Sequence, residues 1–171
     1  MKSSPKNLEP YTIAEVDGFI HPVTIIATPK GVKEVHFAHF ETIIKKLHHK
    51  NIPYFFESSH PAAVELKQYF QGKRKHFDVP VDIEGTPFQM MVWEALQSIP
   101  YGQARSYKDV AIQIGHPKAY RAIGQACGAN PVPIIIPCHR VLTSGGGLGG
   151  FSAGIEIKKA LLDLERVYSH K

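Results

Sequence analysis

Residues 106–130, SYKDVAIQIGHPKAYRAIGQACGAN, contain two short helical patterns separated by Gly-His-Pro. Ser106 can cap the first pattern, and Gly115 can end it. The second pattern begins after the proline and ends in Gly-Ala-Asn. Two short helices joined by a tight turn predict a helix-turn-helix, although purely structural helical domains also contain such pairs.

Charge and side-chain size in the second helix favour DNA as a partner. Lys118 and Arg121 stand near its start, where a helix N-terminus suits phosphate. Residues 85–171 hold nine Lys and Arg against five Asp and Glu, whereas residues 1–84 hold eleven against ten. This excess favours an anionic partner for the second half, but a few surplus basic residues also serve solubility alone. Small residues that allow close approach to a groove are interspersed along the helix: Ala119, Ala122, Gly124, Ala126 and Gly128.

The flanking segments predict two domains with a boundary near residue 85. Residues 11–38 contain two or three strand-like runs, 39–52 and 60–73 have helical spacing, and 76–83 resembles one more strand. Residues 1–84 are therefore predicted to form a small α/β domain, and residues 85–171 a mostly helical domain that binds DNA. Thr86-Pro87 begins the first helix of that second domain. The residues predicted to share its apolar face are Phe88, Met91, Val92, Leu96 and Ile99.

The stretch IIIPCHRV, residues 134–141, contains the candidate nucleophile Cys138. A free cysteine is most often inert packing, and an ordinary thiol with a pKa of ~8.5 needs a basic partner to react. His139 can help directly only if the chain turns there, or otherwise through a water, because adjacent strand residues face opposite sides. Glu165 could orient such a histidine. Both the packing role and the nucleophile role stay open at this point.

The glycine run, the histidine pairs and the N-terminus do not indicate a cofactor site, a metal site or a secretion signal. Gly145, Gly147 and Gly150 fit G-x-G-x-x-G, but a dinucleotide site needs a further strand and an acidic residue about twenty positions on, and here the given sequence ends after one helix. Histidine pairs such as His36 with His39 or His48 with His49 lack zinc-site spacing, so solvated surface histidines and no metal are expected. The N-terminus MKSSPKNLEP lacks the apolar region of a signal peptide, which favours an intracellular, cytoplasmic protein with reduced cysteines.

Five motifs in order, EGTPFQ, PYGQARSY, RAIGQACGANP, NPVPIIIP and PCHRV, resemble the O6-alkylguanine-DNA alkyltransferase family over roughly residues 84–166. The resemblance implies a ribonuclease-H-like first domain with a small mixed or antiparallel sheet. It also implies a monomer that binds the minor groove of double-stranded DNA and flips the damaged base into a pocket. The implied reaction is a single irreversible transfer of the alkyl group from O6-alkylguanine, or O4-alkylthymine, to the protein, without a cofactor.

The resemblance also assigns roles to residues. Cys138 matches the alkyl acceptor, His139 the base that acts through a water, and Glu165 the group that polarises the histidine. Arg121 matches the arginine that fills the gap of the flipped base, and Tyr107 the tyrosine that crowds the 3′ phosphate. Asn130 matches the asparagine between the recognition helix and the active-site segment. The remaining implied DNA contacts are Lys118, Ala119, Ala122, Gly124, Cys127 and Gly128, and the implied pocket residues are Pro133, Val141 (backbone), Gly150, Phe151 and Ser152.

The sequence departs from the family pattern at two places. Many members carry a tyrosine at the position of Phe151, and Phe151 has no hydroxyl to assist the leaving guanine. The first half lacks the zinc-binding cysteines of some vertebrate members, which leans towards a microbial source. Two rival hypotheses are a DNA-binding damage sensor without chemistry and a Cys-His hydrolase unrelated to DNA.

Overall fold

The computed structural model describes residues 8–171, and the first part of this range forms a four-stranded mixed sheet with helices on it. The strands lie in the order β3-β2-β1-β4. β1 pairs antiparallel with β2 and parallel with β4, and β2 pairs antiparallel with β3. The elements are β1 (Tyr11–Val16), β2 (Val23–Thr28), β3 (Gly31–His36), α1 (Phe40–His49), β4 (Tyr54–Phe56) and α2 (Pro61–Phe70).

The alternation of side chains along the strands separates two layers of packing. Ile13 lies opposite Ile26 in the register, and both face α1, where they join Ile43 and Leu47 in a small buried cluster. The neighbouring residues along these strands point to the other face of the sheet. That face belongs to the main core, which residues from both halves of the chain share: Ala14, Ile25, Val35, Leu66, Tyr69, Leu96, Ile123 and Leu161.

The strand predicted over residues 76–83 is wrong, and the fourth strand is instead β4. Only Val32 and Val81 form a bridge there, with hydrogen bonds from the Val32 amide to the Pro80 carbonyl and from the Asp82 amide to the Val32 carbonyl. Pro80 has no amide hydrogen to continue a ladder. β4 is only three residues long, so its alternation was too short to detect in the sequence.

The second half is mostly helical, as predicted. It contains α3 (Pro87–Gln97), β5 (Arg105–Ser106), α4 (Tyr107–Gln113), α5 (Tyr120–Gly128), a 3-10 helix (Cys138–Arg140), β6 (Val141–Leu142) and α6 (Ile155–Tyr168). β5 and β6 form a short parallel pair. Within residues 8–171, no helix combines the length and the apolar character needed to cross a membrane. Residues 1–7, which belong to the segment used to predict that no signal peptide is present, lie outside the described residues.

Local capping explains where α3 begins, but the predicted apolar face was partly wrong. Thr86 and Gln89 form a capping box, in which each side chain bonds the backbone amide of the other residue. Met91 is 39% exposed, whereas Trp93 is buried. The indole Nε1 of Trp93 donates to the Ala126 carbonyl at 2.9 Å, so α5 packs on this side of α3 and shifts the buried face.

α4 and α5 form the predicted helix-turn-helix pair. Ser106 and Asp109 form a capping box at the start of α4. Gly115 follows α4 with a φ of +78°, a left-handed conformation that glycine adopts without steric cost. α5 begins at Tyr120, so Lys118 and Ala119 precede the helix rather than lying in its first turn.

Candidate active site

The chain turns at the candidate nucleophile. The apolar run before it is not a strand: Ile134 adopts a left-handed φ of +74°, and the segment folds back so that Pro133 and Ile136 form a bridge. Pro137 then leads into the 3-10 helix, in which the Arg140 amide donates to the Pro137 carbonyl at 3.0 Å. This turn is one of the two conditions under which His139 can assist Cys138.

Asn130 holds this folded segment at both ends. Its Nδ2 donates to the Ile136 carbonyl at 2.8 Å, and its Oδ1 accepts from the Val132 amide at 3.0 Å. The Asn130 side chain is buried, so both bonds lie out of competition with water. Because Ile134 is β-branched, its left-handed conformation is strained, and the Asn130 clamp helps to maintain it.

A buried hydrogen-bond cluster centred on Glu165 lies beneath Cys138. The Nε2 atom of His139 lies 2.7 Å from Oε1 of Glu165. Arg140 donates from Nε to Oε2 and from Nη2 to Oε1, both at 2.9 Å, and its Nη1 donates to the Ile99 carbonyl. The Tyr69 hydroxyl donates to Oε1 at 2.7 Å, and the Gly102 amide donates to Oε2 at 3.0 Å. We call these residues the Glu165 cluster: Tyr69, Gly102, His139, Arg140 and Glu165.

The protonation states of the cluster follow from burial and charge. Burial acts to raise the pKa of Glu165, but the hydrogen bonds and charges of His139 and Arg140 outweigh burial and hold it at about 2. Burial lowers the pKa of His139, although Glu165 opposes this effect. Burial raises the pKa of Cys138, against the smaller opposing effects of the nearby Asn130 amide and the charge of Lys158. At neutral pH the site therefore pairs a neutral thiol with a neutral imidazole.

The imidazole has one nitrogen free to act. Because ionised Glu165 only accepts hydrogen bonds, Nε2 of His139 carries the ring proton. Nδ1 of His139 is buried and has no hydrogen-bond partner within the described residues. An unpartnered buried acceptor is costly, and it suits a nitrogen that receives a proton during a reaction.

Cys138 opens onto a cleft of about 880 Å³ between the helix pair and the glycine-rich loop. Arg121 is exposed at this cleft, and Phe151 of the loop also contacts Phe37 edge to face at 6.1 Å between ring centroids. The predicted site residues that line the cleft are Tyr107, Arg121, Gly124, Cys127, Gly128, Cys138, Gly150, Phe151 and Ser152.

The other predicted contact residues lie elsewhere. Val141 is fully buried. Pro133 lines a neighbouring cleft of about 600 Å³, which meets the first at Ser152. Lys118 and Ala119 border a shallow depression before α5, and Ala122 is half-buried in that helix.

Sequence reasoning missed Lys158, which supports the floor of the cleft. Its side chain is fully buried, and its Nζ donates to the carbonyls of Val141 at 2.7 Å and Gly150 at 3.3 Å. Burial lowers the pKa of Lys158, and the nearby Cys138 and Cys127 oppose that shift. A sequence signal was available, because Lys158 lies three residues before Leu161 and seven before Glu165 on one helix face. Tyr69 of the Glu165 cluster was also missed, and no local pattern could have found it.

The histidine pairs considered for a metal do not assemble a site. Nε2 of His36 lies 2.6 Å from Glu34, and Nδ1 of His39 lies 3.5 Å from Glu15. Within residues 8–171, no group of three or more His, Cys, Asp or Glu side chains is arranged to hold a metal ion.

The helix pair and the buried cysteine define the class of the protein. The family model described as 6-O-methylguanine DNA methyltransferase, DNA binding domain, matches residues 87–167. The inducible methylated-DNA–protein-cysteine methyltransferase of Bacillus subtilis is 57% identical over 106 residues, which cover 62% of this chain and 59% of that protein. The corresponding protein of Methanosarcina barkeri is 43% identical over 152 residues, 88% of this chain and 94% of that protein. The chain belongs to the methylated-DNA–protein-cysteine methyltransferase family.

A solved structure agrees with this assignment. The crystal structure of Mycobacterium tuberculosis OGT in complex with DNA has a TM-score of 0.81 to this chain at 38% identity. The structural match covers 92% of this chain and 94% of the chain in that crystal structure. The similarity therefore extends over both halves of the chain, including the sheet that the family model does not cover.

Proposed function

We propose that this protein repairs alkylated DNA by moving the alkyl group of O6-alkylguanine, or of O4-alkylthymine, onto Cys138. The observation that carries this proposal is the position of Cys138, which opens onto the cleft beside α5 and is adjacent to the histidine of the Glu165 cluster. The relatives are named as methyltransferases that act between methylated DNA and a protein cysteine, which supports the proposal. DNA is the partner that the matched DNA-binding domain and the structure of the relative bound to DNA support.

His139 acts as the base in the proposed reaction. A water between the thiol and Nδ1 of His139 passes the thiol proton to the ring, and Glu165 stabilises the imidazolium that forms. The Cys138 sulfur then bonds the alkyl carbon while the bond from that carbon to guanine O6 breaks. The proton that His139 accepted passes through water to a ring nitrogen of the guanine, which is restored as the ordinary neutral base. The thioether is stable, so each protein molecule reacts once.

We further propose that the base reaches Cys138 by flipping out of the minor-groove side of the duplex. Flipping costs a few kcal/mol, least for a poorly paired base, and an inserted side chain offsets part of that cost. Arg121 is exposed on α5 at the cleft, which suits it to fill the vacated space. Tyr107 lines the same cleft beside the glycine loop and is proposed to crowd the phosphate.

Phe151 occupies the position where many members have tyrosine, so the leaving oxygen needs another donor. Ser152 lines the same cleft and carries a hydroxyl, and the loop amides are the alternative. We propose that one of them assists departure. The ribonuclease-H-like arrangement, the boundary at residues 84 and 85, the monomeric state and the cytoplasmic location are proposals of the same kind. The strand order β3-β2-β1-β4 with a parallel β1-β4 pair supports the first of these.

The test is the intact mass of the protein after incubation with duplex DNA that contains O6-methylguanine, followed by peptide mapping. One methyl group on the peptide that holds Cys138, with equal loss of the lesion, is the expected result. Cys138→Ser should gain no mass, and Cys127→Ser, which alters the other thiol in the same cleft, should still be methylated. Tight binding of the lesion without a mass change would instead indicate a damage sensor. If the protein hydrolysed an ester and O6-benzylguanine did not label Cys138, the result would indicate a Cys-His hydrolase unrelated to DNA.

A further inference from the structure

A polar contact from the first half of the chain reaches the reactive centre. Tyr69 of α2 is fully buried, and its hydroxyl donates to Oε1 of Glu165 at 2.7 Å. The same hydroxyl oxygen lies 3.4 Å from Nε2 of His139. Tyr69 and Glu165 are 96 residues apart in the chain, so only the packing of the two halves brings them together.

The Tyr69 hydroxyl acts as a hydrogen-bond donor to Glu165. Burial and the charge of Glu165 raise the pKa of Tyr69 well above its usual value, so the phenol keeps its proton. It therefore donates to the carboxylate and shares Oε1 with the ring proton of His139. Each donor that bonds Oε1 withdraws part of its negative charge from the others.

We infer that Tyr69 is a positioning residue for the alkyl transfer: its hydroxyl orients Glu165 and sets how strongly that carboxylate stabilises protonated His139. This inference rests on the proposed function and adds to it a residue of the sheet-containing half. Without the hydroxyl, Oε1 bonds fewer donors and interacts more strongly with His139. His139 then remains protonated at higher pH, and a protonated imidazole cannot accept the thiol proton. Rotation of Glu165 also becomes less restricted, which weakens the alignment of the ring with Cys138.

Other groups around His139 also affect its protonation, and Tyr69 differs from the neighbouring Tyr101 in that its hydroxyl bonds Glu165. The neighbouring hydroxyl of Tyr101 is buried and has no hydrogen-bond partner within the described residues. The Tyr101 ring contacts the Tyr69 ring edge to face at 6.0 Å between centroids. It therefore provides a matched control, since Tyr101→Phe removes a nearby hydroxyl without removing a bond. Within the described residues, several charged and titratable groups surround His139: Tyr69 of α2, Tyr101 of the turn after α3, Cys138 and Arg140 of the 3-10 helix, and Lys158 and Glu165 of α6.

The test measures the rate of benzyl transfer from O6-benzylguanine to Cys138 between pH 5 and 9, as given by the mass of the whole protein. For Tyr69→Phe, we expect the fall in rate at acid pH to begin about one pH unit higher than in the unaltered protein. The plateau rate should be about tenfold lower. Tyr101→Phe should keep both the plateau and the position of the acid fall. A lower plateau with an unmoved acid fall would mean that Tyr69 only packs the core, and that result would overturn the inference.

A second replacement keeps the test decisive if Tyr69→Phe does not fold. Placing 3-fluorotyrosine at position 69 retains the shape of the ring but makes the hydroxyl a stronger donor. The acid fall should then move to lower pH, and an unmoved fall would contradict the role of the hydroxyl. If the unaltered protein does not react at Cys138, the proposed function itself fails. If it reacts normally and neither replacement shifts the profile, only the role of Tyr69 fails.

Discussion

Replacing Glu165 by glutamine perturbs one atom of the chain at the centre of the largest buried charge cluster that we describe. In the native protein, Arg140 is 6% exposed and its guanidinium bonds both oxygens of Glu165. Glutamine keeps the volume and one acceptor oxygen, but it removes the negative charge and turns the other oxygen into an NH₂ donor. That donor faces the Arg140 guanidinium in either orientation. It also faces the Gly102 amide at the Oε2 position, or the Tyr69 hydroxyl and His139 at the Oε1 position, and all of these groups donate.

The loss of stability can be worked from this geometry in two ways. Removing one partner of a buried ion pair costs about 3–5 kcal/mol, because the remaining charge stays desolvated. The depressed pKa of Glu165, about 2 against an ordinary value of 4.5, corresponds to a contribution of about 3 kcal/mol. For a chain of this size, such a loss lowers Tm by about 10 °C.

The lowered pKa of Glu165 also predicts how the stability difference between the native protein and Glu165→Gln depends on pH. Because the folded-state pKa of Glu165 is below its unfolded value, its contribution is complete above about pH 4.5 and is lost as the pH falls towards about 2. The difference in unfolding free energy between the native protein and Glu165→Gln should therefore be constant from pH 7 to about 5. It should then shrink on further acidification.

Thermal unfolding by circular dichroism at pH 7, with urea unfolding at several pH values, measures these effects. Glu156→Gln is the matched control, since Glu156 is an exposed carboxylate in the first turn of the same helix. It should cost no more than about 1 kcal/mol. A Tm for Glu165→Gln within 2–4 °C of the native value, a shift equivalent to about 1 kcal/mol, would refute the account of a cluster held by this charge.

Three further predictions concern the segment before Cys138, the start of α3 and the DNA contact. Asn130→Ala leaves the Val132 amide buried without a partner and removes one of the two donors to the Ile136 carbonyl, which keeps its bond from the Cys138 amide, so urea unfolding should show a loss of about 1–3 kcal/mol; a change below about 0.5 kcal/mol would contradict the clamp. Thr86→Ala removes one half of a capping box and should cost about 1 kcal/mol without altering the rate of benzyl transfer; a slower transfer would show that the cap does more than begin a helix. Arg121→Ala should repair a methylated duplex much more slowly but react with free O6-benzylguanine almost normally, and equal losses in both assays would rule out its role in base flipping.

Part of the fold was predictable because the interactions that specify it are local. The capping boxes at Thr86 and Ser106 each join residues three apart, and Gly115 supplies its left-handed turn alone. The helix starts and the helix pair could therefore be located from the sequence. The prediction of a strand over residues 76–83 was wrong because strand pairing depends on a neighbouring strand that is distant in sequence. Here Val81 forms one bridge with Val32, and Pro80 has no amide hydrogen to extend the pairing.

The sequence by itself determined the family and the candidates Cys138, His139 and Glu165, since these lie in motifs whose order and spacing are specific. The tertiary structure decided how they work together. Glu165 lies 26 residues from His139 and 96 from Tyr69, and Lys158 reaches the Val141 carbonyl across 17 residues. No local pattern encodes such contacts, because each depends on the packing of α2 and α6 against the turn at Cys138. Burial then sets the protonation of the thiol and the imidazole, and burial is a property of the folded chain alone.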